Sequence, residues 1–257
     1  MIDLTFRITS KLKVFPGSPQ PSFIRWSKLD IHGYDSEAMF FSTHTGTHVD
    51  APSHFIPNAA NVDQIAVDRF FCKNALLLKI RKQANQQITY KDIVDQGINE
   101  NDTAIVISTG WEKQAEKDNY VLDNPGISAD AAKYLVEKKV NAVAIDTPSI
   151  DAGIDSDFTA HKILLSNNIL IIENLCNLER INRNRFTSVA IPLKLIGSTG
   201  SPVRAIGIEE CHNRRNISNW QSTNILTIEV DEIMMSIDMT SPYIHASKSF
   251  NFYTYLI

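Results

Sequence analysis

Residues 42 to 55 read Ser-Thr-His-Thr-Gly-Thr-His-Val-Asp-Ala-Pro-Ser-His-Phe, and put three of the chain's seven histidines and one aspartate within eleven positions. His44, His48, Asp50 and His54 all carry even numbers. In an extended chain alternate side chains share a face, so even positions tend to project together. A helix would align His44 with His48 but turn Asp50 well round the cylinder. Val49, Gly46, Pro52 and the threonines at 43, 45 and 47 also disfavour a helix. The stretch therefore reads as an irregular extended strand or loop, bent at Gly46 and Pro52. One histidine alone would be a solvated or hydrogen-bonded residue. Four potential ligands at this density are better explained by a metal site, and neutral imidazoles with a carboxylate suit zinc, manganese or iron(II). The residue after His44 is Thr45, so the helical His-Glu-x-x-His route to a general base is absent.

The elements that would position these residues come from apolar runs. Ala75–Ile80, Ala104–Ser108, Ala142–Ile145 and Ile169–Ile172 are short, almost wholly apolar and suited to buried strands. Between them, Thr89 to Gly97 reads as a short helix with Thr89 as N-cap, and Ser128 caps a helix with Ala131, Ala132, Leu135 and Val136 on one face. Thr159 to Leu165 reads as a helix carrying His161. Glu173 follows the last of these strands, and a carboxylate there needs a partner if it is buried. His161 and Glu173 thus offer the further ligands that the first stretch would need. Asp146 and Asp151 flank a Pro-containing turn and read as turn formers. The alternation of strands and helices from 75 to 173 indicates an α/β layered fold.

Elsewhere, Ile2, Leu4, Phe6 and Ile8 alternate with other residues as in a strand, and residues 20 to 42 read as strands broken near Gly33. Phe15, in a Pro- and Gly-containing loop, reads slightly better as a core plug than as a substrate wall, and Trp111 either lines a cleft or packs. Gly197-Ser198-Thr199-Gly200 lacks the lysine of a phosphate-binding loop. Ile225–Val230 and Phe250–Tyr255 read as strands of a C-terminal extension, and the isolated His212 and His245 read as non-catalytic.

The 257 residues, 43% hydrophobic and 21% charged, can bury a sizeable core. A net charge of −4 gives no broad basic field for nucleic acid or anionic lipid. No run approaches the ~18 to 20 apolar residues of a membrane span. The first residues lack a charged-then-apolar leader, and three cysteines, Cys72, Cys176 and Cys211, without paired spacing suit a reducing cytoplasm.

The stretch from His44 to His54 resembles the His-x-Gly-Thr-His-x-Asp-x-Pro-x-His signature of the cyclase family of metal-dependent hydrolases, which includes bacterial-type kynurenine formamidase and isatin hydrolase. Supporting matches in order are Phe15-Pro16-Gly17, Thr109-Gly110-Trp111, Pro125 to Ser128, Ile145 to Ser149, Glu173-Asn174-Leu175 and Gly200 to Arg204. The resemblance implies an α/β swivelling-domain architecture over residues 1–207 and assembly as a homodimer or larger oligomer; residues 208–257 lie outside it and read as a β-rich extension of unknown role. It implies that His44, His48 and Asp50 bind a first divalent metal, zinc or manganese. Asp50 would bridge to a second ion held by His161 and Glu173, with one or two ions per subunit and Glu173 able to reach both. His54 would be the general acid/base and Phe15 would contact substrate. The implied reaction is hydrolysis of a small amide, first N-formylkynurenine to kynurenine and formate. A cyclic amide such as isatin, or another small amide or lactone, is the alternative, and a catalytically silent metal-binding scaffold is the reading from another class. Kynurenine formamidases usually carry Trp where Phe15 stands and often Asp where Ser18 stands; these departures bear on the substrate, not on the hydrolytic machinery.

Overall fold

The computed structural model describes residues 1–209, 225–230, 233–238 and 246–249. The chain divides into two units, Met1–Glu210 and Cys211–Ile257. In the first unit, β1 (Ile2–Asp3) precedes a hairpin of β2 (Ser22–Ser27), a single helical turn α1 (Leu29–His32) and β3 (Ser36–Phe40). Then come β4 (His48–Asp50), β5 (Phe71–Lys79), β6 (Gln87–Ile88), α2 (Tyr90–Ile93), β7 (Ala104–Ser108) and β8 (Gly126–Ile127). The unit closes with α3 (Ala129–Glu137), β9 (Ala142–Ile145), α4 (Thr159–Ser166), β10 (Leu170–Glu173), β11 (Arg185–Val189), β12 (Gly200–Pro202) and β13 (Ile206–Ile208).

Nine strands form one mixed sheet in the order β1-β13-β11-β5-β7-β9-β10-β4-β12. Its centre, β5-β7-β9-β10, is parallel, and the strands outside it pair antiparallel. The central runs are apolar on both faces because both faces are covered. Leu76, Leu78, Ile105, Ile107, Val143, Ile145 and Ile171 pack with Ala131, Leu135, Leu164 and Leu165 of α3 and α4. Their alternate neighbours Leu77, Val106, Ala144 and Ile172 pack with Leu4, Val49, Phe186 and Val203 on the other face. The layered α/β expectation describes this arrangement. Both capping predictions hold locally: Ser128 Oγ accepts from Ala131 N at 3.5 Å, and Thr89 N donates to Asp92 Oδ2 at 2.7 Å.

Two expected elements differ. The alternation from Ile2 to Ile8 yields a strand only at Ile2–Asp3, because Thr5 instead bridges Leu175 and Phe6 N donates to Thr47 Oγ1 at 2.8 Å. Gly200–Pro202, expected in a loop, pairs with β4. Residues 20 to 42 do form strands broken near Gly33, which ends α1 at φ 78°. In the second unit β14 (Ile225–Val230), β15 (Ile233–Asp238) and β16 (Ala246–Ser249) form an antiparallel three-stranded sheet. The expected strand at 250–255, and Cys211, His212 and His245, lie outside the described residues. Among the described residues no helix is long and apolar enough to cross a membrane.

Candidate metal centre and active site

Strand β4 lies between β10 and β12, with Glu173 opposite His48 and Ile171 opposite Asp50. Val49 belongs to the core on one face, so the period of two sends His48 and Asp50 to the other. Ile171 packs on the helix side, so Glu173, two residues on, emerges on that same side at the C-terminal end of β10. Helix α4 delivers His161 to this point. The site thus sits at the C-terminal ends of the parallel strands, where open α/β sheets bind ligands.

The even-numbered residues do converge, although only His48–Asp50 is strand; His44 lies in the preceding turn and His54 on a 3₁₀ turn, Pro52–His54. His48 Nδ1 donates to Gly46 O at 2.8 Å, which leaves Nε2 facing Asp50 Oδ1 and Glu173 Oε2, each at 3.4 Å. His161 Nδ1 lies 2.5 Å from Asp151 Oδ2, and its Nε2 faces Glu173 Oε1 at 3.1 Å and Asp50 Oδ2 at 3.3 Å. His44 Nδ1 is 2.7 Å from Asp50 Oδ1, and its Nε2 is 3.0 Å from Thr199 Oγ1. Ligand-type atoms of His44, His48 and Asp50 lie within 4.8 Å of one another, as do those of Asp50, His54 and His161. Glu173, which the resemblance puts with Asp50 and His161, faces the Nε2 atoms of both His161 and His48.

His48, Asp50, His161 and Glu173 are all buried. Burial opposes charge on His48, but the Asp50 and Glu173 carboxylates outweigh it and push its pKa up to about 10. The same contest, with Glu173 the strongest attractor, raises His161 well above its ordinary value. Asp50, despite burial, is held well below the carboxylate range by the surrounding imidazoles, His48 first. Asp50 Oδ2 is buried without a hydrogen-bond partner. Two imidazole nitrogens and two carboxylates converge in a buried site, and the carboxylates demand positive charge there. A divalent cation meets that demand with nitrogen and oxygen donors of the right kind, so the residues fit a metal.

His54 stacks on His44, ring centroids 3.9 Å apart, and burial first of all lowers its pKa to about 4. It is therefore neutral near pH 7 and able to accept a proton. These groups open into a cavity of about 320 Å³. Its walls are Phe15, Phe55 and Phe158 with Ser18, Ser42, Pro148 and Ser149, and among the described residues no Lys or Arg lines it. Phe15 is 42% exposed and lines this cavity, which overturns the core-plug reading. Trp111 is buried, its Nε1 donating to Tyr120 O at 2.8 Å.

Sequence reasoning separated two aspartates too little. Asp146 accepts from Thr109 N, Thr109 Oγ1 and Gly110 N at 2.6 to 2.8 Å and so fixes the loop leaving β7 rather than its own Pro-containing turn. Asp151 does more. It accepts from Ala160 N and His161 N at the start of α4 and holds the His161 ring by Nδ1, as carboxylates behind metal-binding imidazoles do. No local sequence signal set Asp151 apart, because its approach to His161 is made by the loop between them. Gly200 was also missed: opposite Asp50, a Cβ there would lie 2.4 Å from the His44 ring.

The Cyclase family model matches residues 2–152, more than half of the chain. A kynurenine formamidase of Bacillus cereus is 29% identical over 206 residues, 80% of this chain and 95% of that protein. A kynurenine formamidase of Geobacillus thermodenitrificans is 30% identical over 207 residues, 79% and 95% of the two chains. The crystal structure of an isatin hydrolase bound to the product analogue thioisatinate superposes with a TM-score of 0.75 at 23% identity, covering 81% of this chain and 91% of that one. The mixed α/β sheet is the fold of this structural group, and the chain belongs to the Cyclase family.

Proposed function

We propose that this chain is a metal-dependent hydrolase of small amides, with a neutral aromatic cyclic amide of the isatin type as its preferred substrate. The observation that carries this reading is a cluster of imidazole and carboxylate donors at the floor of an aromatic-walled cavity with no Lys or Arg among its described lining residues. His44, His48 and Asp50 would hold one ion and Asp50, His161 and Glu173 a second, as zinc or manganese. The metal supplies Lewis acidity toward the amide carbonyl and lowers the pKa of water toward ~7. Neutral His54 takes a proton from the attacking water and returns it to the leaving nitrogen. Phe15, Phe55 and Phe158 hold the aromatic ring and exclude bulk water.

N-formylkynurenine, the first substrate expected, is the second reading, favoured by the relatives' names. Its amino-acid moiety would bring a carboxylate and an ammonium group into this cavity. With no Lys or Arg among the described lining residues, the carboxylate gains no Lys or Arg counterion from the wall, and Ser18 stands where an Asp is often found. Hydrolysis of isatin and of N-formylkynurenine by metal-depleted protein, before and after zinc or manganese is restored, separates the readings. The expected result is metal-dependent ring opening with kcat/KM higher for isatin. A higher value for N-formylkynurenine would reverse the preference, and bound metal without turnover of either would favour the silent scaffold.

The protein acts as a homodimer or larger homo-oligomer in the cytoplasm. Free Cys72 and Cys176 support a reducing compartment. The hairpin β2-α1-β3 supports assembly: Phe23, Ile24, Trp26, Leu29, Ile31 and Phe40 are 44% to 74% exposed. Tyr34 and Met39 of the same hairpin are likewise 57% and 62% exposed.

A further inference from the structure

The histidines at the centre are not presented alike. His48 and His161 have Nδ1 tied off, to Gly46 O at 2.8 Å and to Asp151 Oδ2 at 2.5 Å, and turn Nε2 toward Asp50 and Glu173. His44 is reversed. Its Nδ1 is the atom at the carboxylate, 2.7 Å from Asp50 Oδ1, and its Nε2 meets Thr199 Oγ1 at 3.0 Å. Asp50 Oδ1 is also the oxygen that His48 Nε2 faces at 3.4 Å, so His44 Nδ1 and His48 Nε2 approach one carboxylate oxygen.

The run Ser198-Thr199-Gly200 makes this reversal possible. The carbonyl of Ser198 accepts from Val62 N, and that of Thr199 from Ala51 N, each at 2.9 Å. The main chain of this run is thereby pinned to both ends of the 51–62 segment, which carries His54. Gly200 then opens β12 opposite Asp50. A Cβ at Gly200 would lie 2.4 to 2.9 Å from Cε1, Nδ1 and Nε2 of His44, so the absence of a side chain lets the ring edge between the two nitrogens rest on the strand. His44 N also donates to Ser42 Oγ at 3.2 Å, and the His54 ring stacks on the His44 ring. With ring and main chain both held, the Thr199 hydroxyl stands at Nε2 and Asp50 at Nδ1.

A neutral imidazole carries one N–H and one lone pair, and the hydrogen bond at one nitrogen decides what the other offers. Where His44, His48 and Asp50 meet, the nitrogen that His44 presents is Nδ1. With Nδ1 given to a metal, the proton must sit on Nε2, where Thr199 Oγ1 stands to accept it. Groups behind metal-binding imidazoles fix the tautomer in this way.

We propose that Thr199 is a positioning residue of the metal centre: its hydroxyl accepts Nε2–H of His44 and makes His44 an Nδ1 ligand, whereas His48 and His161 are Nε2 ligands. This rests on the metal-dependent hydrolase reading of the site.

The test uses the full chain loaded with zinc and isotopically labelled at the histidine nitrogens. Two-bond hydrogen–nitrogen correlation spectra show which nitrogen of each ring carries the proton and which the metal. The expected spectrum has one zinc-bound ring protonated at Nε2, whose Nε2 signal moves in Thr199→Ser, beside a zinc-bound ring protonated at Nδ1. Zinc affinity is measured in parallel by competition with a chelator. Thr199→Val should weaken it about 10- to 100-fold, and Thr199→Ser, which keeps the hydroxyl, should stay within about threefold of wild type. Valine matches threonine in shape, so a role in packing alone would spare the Val variant. Zinc-bound rings protonated only at Nδ1 would overturn the assignment and leave the metal centre standing, and this spectrum needs no variant that folds. Zinc affinity of Thr199→Val within about twofold of wild type would overturn it equally. A wild-type chain that binds no zinc would instead overturn the metal reading, and the assignment with it.

Discussion

The floor and the mouth of the site are built differently. At the floor, His48 and His161 are each only 3–4% exposed, and each has its Nδ1 tied off, by Gly46 O or by Asp151. Asp50 and Glu173 emerge from paired strands whose register is set by apolar neighbours. At the mouth, His44 and His54 stack on each other from a turn and a 3₁₀ turn, and Phe15 and Phe158 come from a loop and a helix start. The difference teaches a division of labour: paired strands and a helix hold the most deeply buried donors, while turns and loops present the more exposed groups around the cavity. Loops on a rigid scaffold commonly carry selectivity.

If that division is right, damage at the floor should exceed damage at the mouth. Asp50→Asn should lose metal and cost several kcal/mol of catalysis, about 10³-fold or more in kcat, measured with metal content by plasma mass spectrometry. His54→Ala should keep its metal and lose roughly 10²- to 10³-fold in kcat, because only the proton carrier is gone. Full activity in that variant would show that another group moves the proton. Asp151→Asn should weaken metal affinity by about 10- to 100-fold in competition with a chelator, since the carboxylate no longer orients His161. Asp151→Glu should restore part of it, which a merely structural role would not require. Phe15→Ala should act least, raising KM several-fold with kcat nearly unchanged, on the order of 1 kcal/mol of lost aromatic contact. A large kcat effect there would erase the distinction between floor and mouth.

Much of the floor was legible in the sequence. Four apolar runs announced the parallel strands, and the density of His44, His48, Asp50 and His54 announced their common target. His161 and Glu173 joined them only because one sat on a helix and the other ended a strand, two facts visible in the pattern. Period-two reasoning over the whole stretch was too simple. Only His48 to Asp50 is strand, and Gly46, at φ 64°, turns the chain before it. The mouth was less legible because its residues are placed by tertiary packing. Nothing local distinguished Asp151 from Asp146, since the proximity of Asp151 to His161 depends on how the 152–158 loop returns to α4. Nothing local made Phe158 adopt a left-handed backbone, and Phe15 looked like core because exposure is decided by neighbours far along the chain. Gly200 carried no signal either, since its need to be small comes from His44 packed across the sheet.

The most direct test of the account is metal stoichiometry paired with turnover. Wild-type protein, His48→Ala and His161→Ala would each be stripped with chelator, reloaded with manganese or zinc, assayed for bound metal, and then assayed for isatin hydrolysis. The account predicts at least one ion per wild-type chain, activity that returns with the ion, and loss of both in the two variants. Stripped wild-type protein that hydrolyses isatin at the reloaded rate, or variants that bind metal and turn over as well as wild type, would contradict it.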